Sequence, residues 1–332
     1  IGASGGHEFY RGVVAKQIAA HIAARGGVLS FDDLDRHAGS WVDPLSVDYH
    51  GNTVFSNAPV SMGALLLACL QVVELRLAER PWGDAAAQID ELVRLKRVAF
   101  GTILPLLGDP AHVSFDDVLS PAATRAWSAA VDGDLPPAPD EGGTDTTSLA
   151  VAAADGSMVV FIHSLFNEFG SREYVPDAGI VLNDRLANLR RGEHPNALRA
   201  GCRPMHTLHA YLVDTAGGAT IAGATPGGRG QVQTNLQVLL GVLDQGRDLQ
   251  AAVDVPRWVH GMPRVAPDDQ TLYLEPELIP LEPPLHALGC ATEIVDAELH
   301  DHFGNCTIVG RDAEGTLSAA SDHRRAGAAE AW

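Results

Sequence analysis

Gly142-Gly143-Thr144-Asp145-Thr146-Thr147-Ser148-Leu149-Ala150-Val151 passes from an acidic, glycine-rich lead-in through a threonine pair into a strand-like run. A threonine hydroxyl is a poor nucleophile without a base beside it. Cutting the chain in front of the threonine turns its own α-amino group into that base. Asp145-Thr146 is therefore the candidate junction. Taken alone, paired threonines opening a strand are ordinary β-propensity, so a chemical reading has to rest on the rest of the chain.

Just upstream, Pro136, Pro137 and Pro139 sit among five acidic residues between 132 and 145. Such a composition cannot build a core and reads as a linker. It separates a mostly helical region, 1–131, from a strand-rich region, 146–332. In the first, Val14, Ile18 and Ile22 recur every fourth residue and predict one amphipathic helix from Glu8 to Arg25, stopped by Gly26-Gly27. Ser30 caps a short second helix, and Thr53-Val54-Phe55 is a strand. Ser61 caps a third helix carrying Leu65, Leu66, Cys69, Leu70 and Val73 on one side, and 84–106 is helical. Past the junction, Asp155-Gly156 joins Thr147–Ala153 to Met158–Leu165 as a hairpin, because Asp-Gly supplies the positive φ angles of such turns. Gly217-Gly218 and Glu314-Gly315 mark two more hairpins. Gly230 to Leu243 is an amphipathic helix, and Glu275 to Leu288 is a proline-broken one. Strands bracketing helices predict an α+β protein with sheets packed between helical layers.

Lys and Arg total 23 against 42 Asp and Glu, a formal charge of −19, and no basic cluster exceeds two residues. A nucleic-acid or anionic-membrane surface is not expected, and a small-molecule partner is. No apolar run approaches the ~20 residues that span a bilayer. Cys69, Cys202, Cys290 and Cys306 lack metal or disulfide spacing, so neither metal nor cofactor is expected. This cysteine usage favours a reducing, cytoplasmic location, replaced by export if an upstream segment carries a signal.

Three later segments fall in a telling order: Ser164-Leu165-Phe166-Asn167-Glu168-Phe169-Gly170-Ser171, Gly179-Ile180-Val181-Leu182-Asn183-Asp184, and Thr225-Pro226-Gly227-Gly228. With Asp145-Thr146-Thr147 they resemble the γ-glutamyltransferase family of N-terminal-nucleophile hydrolases. Region 1–131 resembles the second half of that family's large subunit, through Phe9-Tyr10-Arg11-Gly12, Asp48-Tyr49-His50-Gly51 and Asn57-Ala58-Pro59-Val60-Ser61-Met62-Gly63. Region 146–332 resembles a whole small subunit, including Val255-Pro256-Arg257 and Ala320-Ser321-Asp322-His323-Arg324. The resemblance implies a four-layer αββα sandwich, self-cleavage before Thr146, a linker that swings away once cut, and a mature heterodimer of two fragments of one precursor.

The roles follow by the same resemblance. Thr146 would attack an acyl carbonyl while its α-amine, with an unperturbed pKa of ~7.7–8.0, takes the proton. Ser164 falls where a threonine steadies the nucleophile, and Gly227 and Gly228 precede a helix whose free N–H groups suit an oxyanion. The departures concern the substrate. Family positions that clamp a glutamyl backbone with asparagine, glutamine, aspartate and a serine pair read here Phe166, Arg185, Asn188 and His206-Thr207. Loss of the carboxylate at Asn188 removes the partner of an ammonium, whereas Arg185 and His206 add donors for a carboxylate or oxo group.

The expected activity is that of an autoprocessing threonine hydrolase or acyltransferase acting on something other than a γ-glutamyl peptide, with a small acyl or carboxylate-bearing substrate. Three alternatives stand beside it. One is the antibiotic-biosynthesis branch that cleaves a carbon–carbon bond to an oxalyl-like group on the way to 4-alkylproline units; the others are a cephalosporin-type acylase and an unprocessed, non-catalytic relative.

Overall fold

The long first helix does not form as one piece. In the computed structural model, which describes residues 1–135, 146–261, 269–295 and 303–331, it divides into α1 (His7–Tyr10) and α2 (Val13–Ala24). Gly12 breaks it with an extended backbone, and the Glu8 carboxylate accepts the freed Val13 N–H at 2.6 Å. The short α3 (Phe31–Arg36) begins with a capping box, in which the Ser30 hydroxyl and Asp33 carboxylate satisfy each other's backbone N–H.

Strands β1 (Leu45–Tyr49) and β2 (Asn52–Ser56) pair antiparallel and lead into α4 (Gly63–Glu79). The sequence predicted an apolar stripe on this helix. Instead every residue from Gly63 to Leu70 is buried, along with Val72, Val73 and Arg76, so the first two turns of α4 are apolar and interior all round. Burying a leucine contributes about 1.5–3 kcal/mol, and Leu66→Ala here is expected to cost about 2–5 kcal/mol. Ser61 anchors its entry differently from a simple cap: the hydroxyl accepts from Gly63 N–H and donates to the Leu208 carbonyl at 2.7 Å. The helix predicted to Leu106 is α5 (Ala85–Val98), followed by a π turn at Ala99–Ile103 and a 3₁₀ turn at Leu104–Leu106. Then comes α6 (Pro121–Val131), capped by Ser120.

From residue 146 onward lie β3 (Thr146–Ala152), β4 (Met158–Ser164), the short β5 (Tyr174–Val175) and β6 (Ile180–Val181), β7 (Ala210–Asp214) and β8 (Thr220–Ala224). Helices α7 (Gly230–Leu243) and α8 (Leu249–Val253) follow, then β9 (Trp258–His260) and β10 (Leu272–Leu274), α9 (Glu282–Ala287), β11 (Thr292–Ile294), β12 (Thr307–Arg311) and β13 (Leu317–Ser321). All three predicted hairpins form.

The main sheet runs β1-β2-β7-β8-β12-β13, antiparallel throughout, so residues 45–56 extend a sheet built mostly by residues 210–321. Helices α4 and α8 pack on it, α7 packs against both of these helices, and the β3–β4 hairpin lies across β7, β8 and β12 as a second sheet. The architecture is the α+β sandwich that the sequence predicts. On the hairpin's outer face Leu149 opposes Phe161 and Val151 opposes Val159, all four exposed.

A buried ionic lock ties the last strand to this frame. Arg257 Nη1 meets Asp322 Oδ2 at 2.6 Å, Arg324 Nη1 meets Asp322 Oδ1 at 3.0 Å, and Arg324 also binds Glu275. Burial alone would raise the Asp322 pKa, but the two guanidinium groups hold it below the usual carboxylate value.

Candidate active site

Thr146 is the first residue of β3 and is 5 % exposed; Asp145 lies outside the described residues. Across the hairpin Thr146 stands directly opposite Ser164. Its carbonyl accepts a hydrogen bond from Arg325 Nη1 at 3.3 Å. Two residues along, Ser148 Oγ and Thr307 Oγ1 are 2.9 Å apart, tying β3 to β12 in the main sheet. The strand opposite ends where Ser164 Oγ accepts the Phe166 N–H at 2.9 Å. Phe166 then adopts φ 86°, a left-handed backbone that bulky residues rarely occupy.

Thr225-Pro226-Gly227-Gly228 forms the entry to α7. Gly227 has φ 123° and Gly228 φ 57°, both in the region that favours glycine. Their carbonyls accept from Gly230 N–H at 2.9 Å and Gln231 N–H at 3.3 Å, which starts the helix. Their own N–H groups donate to no described residue. Beneath the turn, a Cβ on Gly227 would lie 3.4 Å from Gly304 Cα, and the Thr225 hydroxyl accepts the Asn305 N–H at 2.9 Å. Two free donors at the N-terminus of a 14-residue helix make a place for negative charge.

Backbone pairing brings Arg185 beside this hairpin end. Asp184 N–H donates to the Leu165 carbonyl at 3.1 Å, and the Asp184 carboxylate accepts Asn167 N–H and Nδ2 at 3.1 and 2.6 Å. The Arg185 guanidinium consequently lies over the Phe166 ring, with Cζ 5.5 Å from the ring centroid. Both of its terminal nitrogens are buried, and neither has a hydrogen-bond partner among the described residues. Burial lowers its pKa, and Asp184 partly opposes this.

His206 N–H donates to the Val60 carbonyl at 3.0 Å, and the buried His206 Nδ1 has no partner among the described residues. Burial, reinforced by Arg185 and His209, lowers its pKa to about 4, so the imidazole is neutral near pH 7. Asn188, 3 % exposed, turns its Nδ2 to the Met205 carbonyl at 2.7 Å and so supports the loop that carries His206. Thr207 is buried, and its carbonyl is the acceptor for His209 Nδ1 at 2.9 Å.

Several of the described site residues are linked by contacts. Thr146 faces Ser164, Ser164 holds Phe166, Phe166 underlies Arg185, and Arg185 acts electrostatically on His206. Gln231, fully buried on α7, closes the circuit when its amide is oriented to donate to the Thr207 and Thr225 carbonyls at 3.2 and 3.3 Å. The sequence reading missed Gln231, His209, Asn235 and Arg325. Asn235 Nδ2 meets His209 Nε2 at 3.1 Å. The available signal was the uncharged polar run Gln231, Gln233, Thr234 and Asn235 on a helix assumed to be one-sided. All four are buried.

Chemically, the region offers a hydroxyl at a strand start and, among the described residues, two backbone donors without acceptors and an unpartnered guanidinium beside a neutral imidazole. Such groups are the kinds that acyl transfer uses: a hydroxyl, donors for an oxyanion and a cation for a substrate anion. The gamma-glutamyltranspeptidase family model matches residues 1–332, and the chain belongs to that family. It is 30 % identical to an oxamate amidohydrolase proenzyme from Klebsiella pneumoniae over 340 residues, covering 100 % of this chain and 63 % of the relative. It is 32 % identical to the glutathione hydrolase-like YwrD proenzyme of Bacillus subtilis, over 79 % of this chain and 50 % of that protein. Among solved structures, a cephalosporin acylase from Bacillus halodurans superposes with a TM-score of 0.85 at 29 % identity, covering 99 % of this chain and 60 % of that one. The chain thus spans half to under two thirds of the length of these relatives. No helix among the described residues is long and apolar enough to cross a membrane.

Proposed function

We propose that this chain carries the catalytic part of an autoprocessing amidohydrolase that attacks a carboxylate-bearing acyl group with Thr146 rather than transferring a γ-glutamyl group. Cleavage between Asp145 and Thr146 frees the α-amine, which takes the hydroxyl proton as Oγ adds to the substrate carbonyl. Gly227 and Gly228 N–H stabilise the oxyanion. The proton passes to the leaving nitrogen, an ester forms on Thr146, and water activated by the same amine hydrolyses it. The mature protein is then a heterodimer of the two fragments.

The observation that carries this reading is the Arg185 guanidinium, buried over Phe166 with both terminal nitrogens unpartnered among the described residues. A buried cationic fork with nothing to bind costs free energy, which a substrate carboxylate offsets. The likeness to an oxamate amidohydrolase supports it, since oxamate carries a carboxylate directly on the attacked amide carbon. A second reading, hydrolysis of a larger acyl side chain, draws on the likeness to the cephalosporin acylase. The test is ammonia release from oxamate compared with turnover of a γ-glutamyl anilide, on protein shown by N-terminal sequencing to begin one fragment at Thr146. Faster turnover of the anilide would overturn the proposal.

A further inference from the structure

We propose that Phe166 sets the length of the acyl group by fixing how far the Arg185 fork stands from the nucleophile, so that only substrates whose carboxylate is bonded directly to the attacked carbonyl carbon are accepted. This rests on the carboxylate role of Arg185 argued above.

The residues fix the geometry from three sides. Thr146 and Ser164 are cross-strand partners, which places their Cα atoms ~4.5–5.5 Å apart. The Ser164 hydroxyl holds Phe166 N–H at 2.9 Å, so the aromatic residue begins two positions from the partner of the nucleophile. Phe166 is 6 % exposed, so its side chain is set in the protein rather than swinging in solvent. Its backbone, at φ 86°, is one that a phenylalanine adopts only when its surroundings hold it there. The Arg185 guanidinium rests over that ring with Cζ 5.5 Å from the centroid. Asp184, one residue before, is bound to Leu165 and Asn167 on either side of Phe166. Arginine is a long side chain that would otherwise sample many rotamers. Here its backbone is tied to the hairpin end and its charged end lies on an aromatic floor.

A floor of this kind excludes as well as supports. A longer acyl chain ending in a carboxylate, such as a four- or five-carbon diacid monoamide, needs space between nucleophile and fork for each extra methylene. On this proposal the buried Phe166 ring beneath the fork takes up that space. An isoleucine- or asparagine-sized residue would leave part of it open, and asparagine also tolerates the left-handed backbone. Discrimination per methylene in a closed apolar site runs to about 10–200-fold.

The experiment uses the processed full-length protein and the homologous monoamides oxamate, malonamate, succinamate and glutaramate, with ammonia release as readout. Wild type is expected to favour oxamate over glutaramate by about 100-fold or more in kcat/KM. Phe166→Asn is expected to shrink that ratio at least ~10-fold, because glutaramate, like malonamate and succinamate, gains while oxamate loses. Phe166→Leu, which keeps an apolar side chain but shortens it, is the second variant, and self-cleavage reports that each has folded. A smaller shift in the same direction supports the proposal if Phe166→Asn fails to process. Overturning results are an unchanged preference series in whichever variant processes, or a wild-type enzyme indifferent to chain length. Failure of the underlying carboxylate reading looks different: acetamide or another uncharged amide would be cleaved as well as oxamate, whatever stands at 166.

Discussion

Thr146 and Ser164 are the cross-strand pair at the open end of the β3–β4 hairpin, with the residue expected to attack on one strand and its hydroxyl neighbour on the other. The pairing predicts two separable effects. Thr146→Ala removes the attacking hydroxyl in both self-cleavage and turnover, so the protein is expected to run as one uncut chain without activity. Ser164→Ala leaves the Phe166 N–H without its acceptor, at a cost of about 1–3 kcal/mol for a buried donor. It should still cut itself, more slowly, and lose activity only in part. Denaturing electrophoresis with N-terminal sequencing checks both; a Thr146→Ala chain that still yields a fragment starting at residue 146 would remove Thr146 from the mechanism.

The hairpin was legible in the sequence because Asp155-Gly156 and the alternation on either side leave few other pairings, and α7 because its apolar face is regular. The candidate site was read only where short motifs carried it. Thr146, Ser164 and Gly227-Gly228 stand in runs whose order is informative, and Arg185 stood out as a charge where an amide was expected. The remainder depends on distant segments meeting. Arg325 reaches Thr146 from 179 positions away. Gln231 spans to Thr207 and Thr225 from a helix side that looked solvent-facing. The break at Gly12 and the all-round burial of the first two turns of α4 were hidden for a related reason: periodicity describes a helix but not how much protein surrounds it.

Arg185→Lys keeps the charge and removes the fork. A lysine ammonium cannot present two parallel donors to a carboxylate or lie flat on Phe166. The variant is expected to lose about 1.5–3 kcal/mol in kcat/KM on oxamate, the range for a hydrogen bond to a charged group, while self-cleavage proceeds at its normal rate. An unaltered kcat/KM would reduce Arg185 to a buried charge without a role in recognition.

Gly228→Val should act on chemistry instead. At φ 57° a β-branched residue is strained, so the turn shifts and its N–H leaves the oxyanion position. A fall in kcat of about 10²–10³-fold with KM little changed is the expected pattern for a lost oxyanion donor. Equal loss in both parameters would point to a collapsed turn, and Gly228→Asn, which the left-handed region accommodates, should then recover most of the rate.

The two histidines beside the site make stability depend on pH in a defined direction. His209 is fully buried; its Nδ1–H donates to the Thr207 carbonyl, which leaves the Nε2 lone pair to accept from Asn235 Nδ2. A second proton would set an N–H against that amide N–H. Burial accordingly lowers the His209 pKa from 6.5 to about 4, and His206 moves the same way to about 4. Between those values the unfolded chain binds protons that the folded protein refuses. The stability contributed by the neutral ring is therefore complete above about pH 6.5 and is lost as pH falls towards 4. For His209 alone the difference is on the order of 3 kcal/mol. Urea unfolding at pH 7, 5.5 and 4.5 should show the wild-type midpoint falling steeply, whereas His209→Gln, which can donate to Thr207 but does not titrate, should start lower and decline less. Parallel curves for the two proteins would mean that the His209 ring is already able to take its proton in the folded state, and the neutral tautomer facing Asn235 would be wrong.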